Sequence, residues 1–323
     1  MIFLKTTSLS TNTPPLQGIP PRTKSQKLLN HFKAYFWLYL FIIPTLIWYL
    51  IFCYAPMGGI VIAFKRYKGA VSIWESPWVG MRWFKSFFNS FYAKTTIVNT
   101  LTLSLYNLAT FPLPIIFALM VNEVNNAKFK QTVQTIMYAP HFISTVVLVS
   151  MLNIFFADSG LINLFLESIG MEEVKFLTST TAYPHLYTWS FVWQNLGWNC
   201  IIYVAALSSV DPALHEAATL DGASRLQRIW HINIPTILPT IVVTLIMRVG
   251  SIMTSNTDKS LLMLNSLNAD KAEVIGTFVY TRGLIDGNYG YATAVGLFTN
   301  VVNLILLLTV NKISEKVTKT SLF

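Results

Sequence analysis

The sequence predicts an all-α polytopic membrane protein with six transmembrane helices, and three observations predict it. Mean hydropathy is +0.52 and only 11% of the 323 residues are charged, against about a quarter in soluble domains. Six stretches, 36–64, 97–121, 131–156, 187–209, 235–253 and 291–310, are apolar enough to cross a bilayer core, for which about 20 helical residues suffice. Backbone groups in lipid must be satisfied within the spanning segment, and the alternation of a membrane barrel is absent, so these runs are expected to be helices.

In chain order, residues 1–35 carry Lys5, Arg22, Lys24, Lys27 and Lys33 without an acid, and Pro14-Pro15 and Pro20-Pro21 break any helix there. A signal peptide joins its basic end to a short apolar stretch and a small-residue cleavage site; this arm is too long and polar, and reads as a cytoplasmic tail. Residues 36–311 form one transmembrane domain, and 312–323 a second cytoplasmic tail. Pro44, Pro112 and Pro114 fall inside spans and predict kinks rather than ends. The loops on the side of the termini hold twelve Lys and Arg, the opposite loops ten. That contrast is small because 65–96 is itself basic, with Lys65, Arg66, Lys68, Arg82, Lys85 and Lys94; the five-positive tail before the first span decides for both termini inside. The loops 157–186 and 257–290 are long enough for short helices, and KAEVIGTFVYTRGL, 271–284, has an apolar face at helical spacing. Cys53 and Cys200 lie in apolar runs and read as packing residues.

Composition also narrows what the chain does. Arg248 is the single full charge inside the six stretches, which hold no Asp or Glu. A proton-coupled carrier needs an ionisable relay in the membrane. A sodium-coupled carrier can use backbone carbonyls at broken helices instead, so an ion-gradient-driven secondary sugar transporter stays open as the alternative. No nucleotide-cradling G-x-x-x-x-G-K-[ST] loop occurs, and the five histidines are scattered without metal-ligand spacing. A polytopic membrane enzyme lacks its usual groups, and an energy source has to be another subunit.

Between two apolar runs stands the polar segment EAATLDGASRLQRIW, 216–230. Asp211-Pro212 supplies an N-cap followed by proline at the first helical position. A short helix is expected over 213–220, Gly222 in the left-handed conformation ends it, and Ser224 caps a second helix through Trp230. Ala217 and Ala218 let another protein approach the backbone closely, and Glu216 and Asp221 offer charge to a basic partner.

The stretch EAATLDGASRLQRIWHINIPTILP closely resembles the cytoplasmic EAA loop of permease subunits in type I ABC importers, in Glu216-Ala217-Ala218, Asp221-Gly222-Ala223, Ile232, Pro235 and Pro239. SPWVGMRWF, 76–84, and VYTRGLIDGNYGYATAVGLF, 279–298, resemble the carbohydrate branch, especially permeases for oligosaccharides of acidic or pectin-like polymers. The resemblance implies the six-helix permease fold of that family and a heterodimer with a second permease subunit. It implies two ATPase subunits that carry the ATP and Mg, with no cofactor on this chain, and an extracytoplasmic solute-binding protein. The setting is the bacterial cytoplasmic membrane, with no nucleic acid partner. The EAA loop then forms a coupling helix docked on an ATPase subunit through Glu216, Ala217, Ala218, Asp221 and Gly222, and ATP-driven closure rocks the spans. One departure stands out: Thr254-Ser255-Asn256-Thr257-Asp258-Lys259 replaces a Gly-Phe-acid run common after the fifth span.

For the substrate path, TWSFVWQNLGWN, 188–199, offers Trp189, Trp193, Gln194, Asn195 and Asn199, since aromatic faces hold sugar rings and amides bind hydroxyls. Interfacial tryptophan belts and amides joining helices are the competing explanations. Arg248 completes the set: a cation at helix centre belongs in a cavity facing an anionic sugar carboxylate, or in an ion pair with a partner subunit or a snorkel to the interface. The basic 65–96 loop leans towards an acidic saccharide, such as an alginate or pectin oligosaccharide, or an acidic face on a binding protein.

Overall fold

A computed structural model describes residues 33–322; the expected N-terminal tail falls almost entirely outside them. Within the described residues all regular secondary structure is helical, apart from one isolated bridge between Lys65 and Trp78. Internal contacts divide it between Gly59 and Ile60.

The first unit is helix α1, Phe36–Phe64, up to Gly59. It is α-helical from Phe36 to Tyr49 with Pro44 inside, then widens to a π turn over Leu50–Tyr54, and no side chain of either segment is buried.

The second unit carries α2 (Arg82–Phe88), α3 (Phe91–Ala109), α4 (Pro112–Asn122), α5 (Ala127–Tyr138), α6 (Thr145–Phe155) and α7 (Leu161–Ser168). After them come α8 (Ala182–Leu207), α9 (Pro212–Leu220), α10 (Arg225–Val249), α11 (Thr257–Met263), α12 (Ala269–Ala272), α13 (Ile275–Tyr280) and α14 (Tyr289–Thr318). Ser90, Asn126, Ser144 and Asn256 each accept a backbone N–H at the start of the helix that follows, which satisfies donors a helix cannot pair internally.

Four helical segments are long and apolar enough to cross a membrane: α1, α3 with α4 as Phe91–Asn122, α10 and α14; the count is five if α5 and α6 form one span. Six were expected. The stretch 131–156 is not a straight helix: Ala127–Phe142 and Thr145–Phe155 meet at 96°. Pro140 has no N–H to continue the ladder, and Ser144 caps a new helix in another direction. The remaining expected span is α8, 26 residues long, about 39 Å at 1.5 Å per residue; its Tyr, Trp, Gln, Asn and His side chains make it less apolar than the others. Pro112 and Pro114 interrupt Phe91–Asn122 only locally, at Thr110 and Phe111.

The expected helix over 271–284 is split. Glu273 and Val274 are extended, with Val274 N–H donating to Thr277 Oγ1, before α13 begins and passes into a π turn, Thr281–Ile285. At the C-terminal end, α14 continues through Thr318, so most of the expected 312–323 tail is helical.

Helix α8 sits at the centre of the second unit, packed on α3, α4, α5 and α10. One apolar cluster joins Leu103, Leu148, Leu152, Tyr183, Tyr187 and Met263. Another joins Ala118, Leu119, Cys200, Tyr203, Leu207 and Ile237, which places Cys200 in the core. Cys53 is half-buried. Gly197 lets α5 and α8 touch: a Cβ there would lie 2.1 Å from the Met137 carbonyl oxygen.

Candidate functional site

The polar loop folds as its local signals dictate. Asp211 accepts the Ala213 N–H at 2.9 Å, Pro212 opens α9, and Gly222 takes φ +78°. The Ala223 N–H reaches back to the Ala218 carbonyl at 2.8 Å, so the left-handed residue closes the helix end as a Schellman motif does. Ser224 and Gln227 then form a reciprocal capping box. The second helix does not stop at Trp230; it widens over Ile229–Asn233 and runs without a break to Val249. Arg228 donates to Thr219 Oγ1 at 2.6 Å, tying α10 to α9.

Glu216, Ala217, Asp221 and Gly222 are exposed and Ala218 is half-buried. Leu220 is 90% exposed. An open groove of about 620 Å³ lies beside them, lined by Asn122, Glu123, Asn125, His215, Glu216, Thr219, Leu220 and Arg228. The loop is thus a stiff pair of capped helices with small and acidic side chains outermost and an apolar tip.

The six pathway candidates separate into three places. Asn199 and Arg248 line one cavity of about 460 Å³, with Thr110, Phe191, Trp198, Tyr203, Thr244 and Ser251 among its walls; that volume is in the range of small-molecule sites, about 300–1,000 Å³. Trp189 and Trp193 line a separate crevice of about 300 Å³, walled almost wholly by apolar side chains of α6 and α8. Trp189 also donates to Tyr106 Oη at 3.1 Å. Gln194 donates to the Ile143 carbonyl at 2.8 Å, and Asn195 Oδ1 lies 3.1 Å from His141 Nδ1. Both amides therefore hold the break between α5 and α6, the helix-joining role that competed with a pathway role.

Arg248 is half-buried and its guanidinium stands 5.4 Å from the Phe191 ring centre. Nη2 comes within 3.5 Å of the Asn107 carbonyl. The single ion pair among the described residues is Arg282–Asp286, so no carboxylate there neutralises Arg248. A second cavity of about 200 Å³, lined by Ser104, Asn107, Tyr187, Thr254, Ser255 and Asn256 among others, shares Phe191, Arg248 and Ser251 with the first. Phe191, Arg248 and Ser251 therefore stand where the two cavities meet.

Sequence reasoning missed Phe191, Ser251 and Lys259. Lys259 is 1% exposed and donates to the Tyr187 carbonyl and to Ser190 Oγ, both at 2.8 Å. Burial pushes its ammonium down to about 7. It belongs to the polar run where the chain departs from the resembled pattern, and its signal was the Asn256 cap three residues before it, which turns the run into a helix. Among the described residues no group of three or more His, Cys, Asp or Glu side chains is placed to hold a metal ion.

A helical membrane domain with an exposed, capped helix pair and a largely apolar cavity carrying one cation, Arg248, between its central helices is the architecture of a membrane transport component. Comparison with known proteins gives the family: the chain belongs to the binding-protein-dependent transport system inner membrane components, whose family model matches residues 110–319. It is 43% identical over 289 residues to Protein LplB of Bacillus subtilis (strain 168), covering 89% of this chain and 91% of that protein. It is 42% identical to the polygalacturonan/rhamnogalacturonan transport system permease protein YteP of the same organism, covering 91% and 92%. Among solved structures, it matches a bacterial alginate ABC transporter in complex with an alginate pentasaccharide-bound periplasmic protein at a TM-score of 0.84 and 40% identity, covering 92% of this chain and 100% of that one. Membership of a binding-protein-dependent system decides against the ion-gradient-driven alternative.

Proposed function

We propose that this chain is the membrane-spanning permease subunit of an ATP-driven importer of acidic oligo- or polysaccharide, of alginate or pectin type. The observation that carries the reading is Arg248, a cation without an acidic partner among the described residues, on a cavity walled by Trp198, Asn199 and Tyr203. Guanidinium pairs with a uronate carboxylate in two-pronged fashion, an amide serves ring hydroxyls, and indole or phenol faces cover the ring. Relatives that carry polygalacturonan, rhamnogalacturonan and alginate support the same substrate class.

In this reading both termini and the 211–234 loop face the cytoplasm, in keeping with the basic tail. Glu216, Ala217, Ala218, Asp221 and Gly222 dock on one of two ATPase subunits, which bind the ATP and Mg. A second permease subunit completes the membrane domain, and a periplasmic solute-binding protein delivers the sugar; the complex with such a protein in the alginate transporter supports that partner. The test is uptake of acidic oligosaccharide by the reconstituted transporter. Arg248→Ala is expected to cut uptake at least tenfold while assembly and basal ATPase stay near wild type; equal loss of assembly refutes a pathway role.

A further inference from the structure

Phe191 has two cations over it. Arg248 lies 5.4 Å from its ring centre on the cavity side, and Lys259 Nζ lies 6.0 Å from the same centre and 4.8 Å from that of Tyr187. Neither has an acid partner among the described residues. The acceptors that hold Lys259 are a peptide carbonyl and a hydroxyl, which orient the ammonium without cancelling its charge. The helices packed on α11 supply no counter-ion: α6 has no titratable side chain and α13 only Tyr280. From α8 come Tyr183 and Tyr187, and Asp258 beside Lys259 is exposed. Below pH 7, two uncompensated charges sharing one ring in a poorly solvated interior leave the Arg248 cavities positive.

We infer that Lys259 is a specificity-determining positioning residue, a second cation behind the Phe191–Tyr187 wall that acts through that wall to favour sugars bearing carboxylates over neutral sugars of the same shape. The inference rests on the substrate reading proposed above. Lys259 touches no sugar itself; its field adds to that of Arg248, and its two bonds fix Tyr187 and Ser190 on α8. A unit charge about 10 Å away, at an effective permittivity of about 20, changes an anion's affinity by roughly tenfold.

The experiment is binding of trigalacturonate and of its neutral trimethyl ester to the purified full transporter at pH 6, followed by tryptophan fluorescence. Lys259→Met is expected to weaken trigalacturonate binding roughly tenfold and ester binding less than twofold, and Lys259→Arg to recover most of the loss. Parallel loss for both ligands makes Lys259 a packing residue and overturns the inference. If Lys259→Met changes neither while Arg248→Gln weakens the acid selectively, the inference fails and the substrate reading stands; if neither variant discriminates, both fail. Should Lys259→Met not assemble, the pH profile carries the test in a His141→Gln background, which removes the imidazole stacked on Trp198. The preference for acid over ester is expected to fall between pH 6 and pH 8.5 as Lys259 deprotonates, and a flat profile overturns the inference.

Discussion

Replacing Lys259 by Met changes how the stability of the transporter depends on pH, and burial of the ammonium sets the sign. The ammonium is almost fully buried, and its pKa falls from the ordinary value near 10.5 to about 7. Below pH 7 the side chain is protonated folded and unfolded, so the folded state bears the whole cost of burying the charge, on the order of 5 kcal/mol. Between pH 7 and 10.5 only the unfolded chain keeps the proton, and the cost shrinks as pH rises, to about 2 kcal/mol at pH 9. Methionine has a similar length and no charge, so Lys259→Met removes this dependence. It also loses the bonds to Tyr187 and Ser190, which shifts the difference between the proteins at every pH and leaves its slope unchanged. Stability of the variant relative to wild type is therefore expected to fall by about 2–3 kcal/mol from pH 6 to pH 9. In thermal melts of the purified complex that is a relative Tm change of roughly 4–8 °C for a domain of this size. A Tm difference that stays constant across this range refutes the account of a buried, unpaired ammonium.

Gly222→Asp puts a side chain at φ +78°, a conformation that costs about 1–2 kcal/mol outside glycine, on a surface where nothing in this chain would meet it. Uptake is expected to drop at least tenfold while ATP hydrolysis continues; normal uptake at normal membrane levels counts against the docking role. Gly197→Ala drives a Cβ into the Met137 carbonyl and forces α5 from α8, with an expected loss of about 1–3 kcal/mol; an unchanged Tm rejects the close approach.

What was legible in the sequence was local. Asp211-Pro212, Gly222 and Ser224 carry their capping chemistry within a few residues of where it acts, so the geometry of the 211–230 loop followed from spacing alone. Arg248 stood out because a lone charge in an apolar span has to be accommodated somewhere. The break at 143–144 was written in Pro140 and Ser144 but masked by continuous hydrophobicity, which reports burial in lipid and is blind to direction. Gln194 and Asn195 stayed open between a sugar-binding and a helix-joining role because an amide serves either equally well; the partners they meet in the fold lie more than fifty residues away in sequence. Lys259 was hidden for the same reason, its acceptors lying on α8 while its own neighbours read as a polar loop.

Helix α10 begins at the capping box and has Arg248 in its final turn. From Ser224 to Arg248 it spans about 36 Å at 1.5 Å per residue. A tilt of about 5° around its midpoint carries each end some 1.5 Å in opposite directions. That is enough to open or close a charge-assisted hydrogen bond at the guanidinium, so a rigid-body tilt of α10 would carry a shift at Ser224 to Arg248 with no relay of side chains in between.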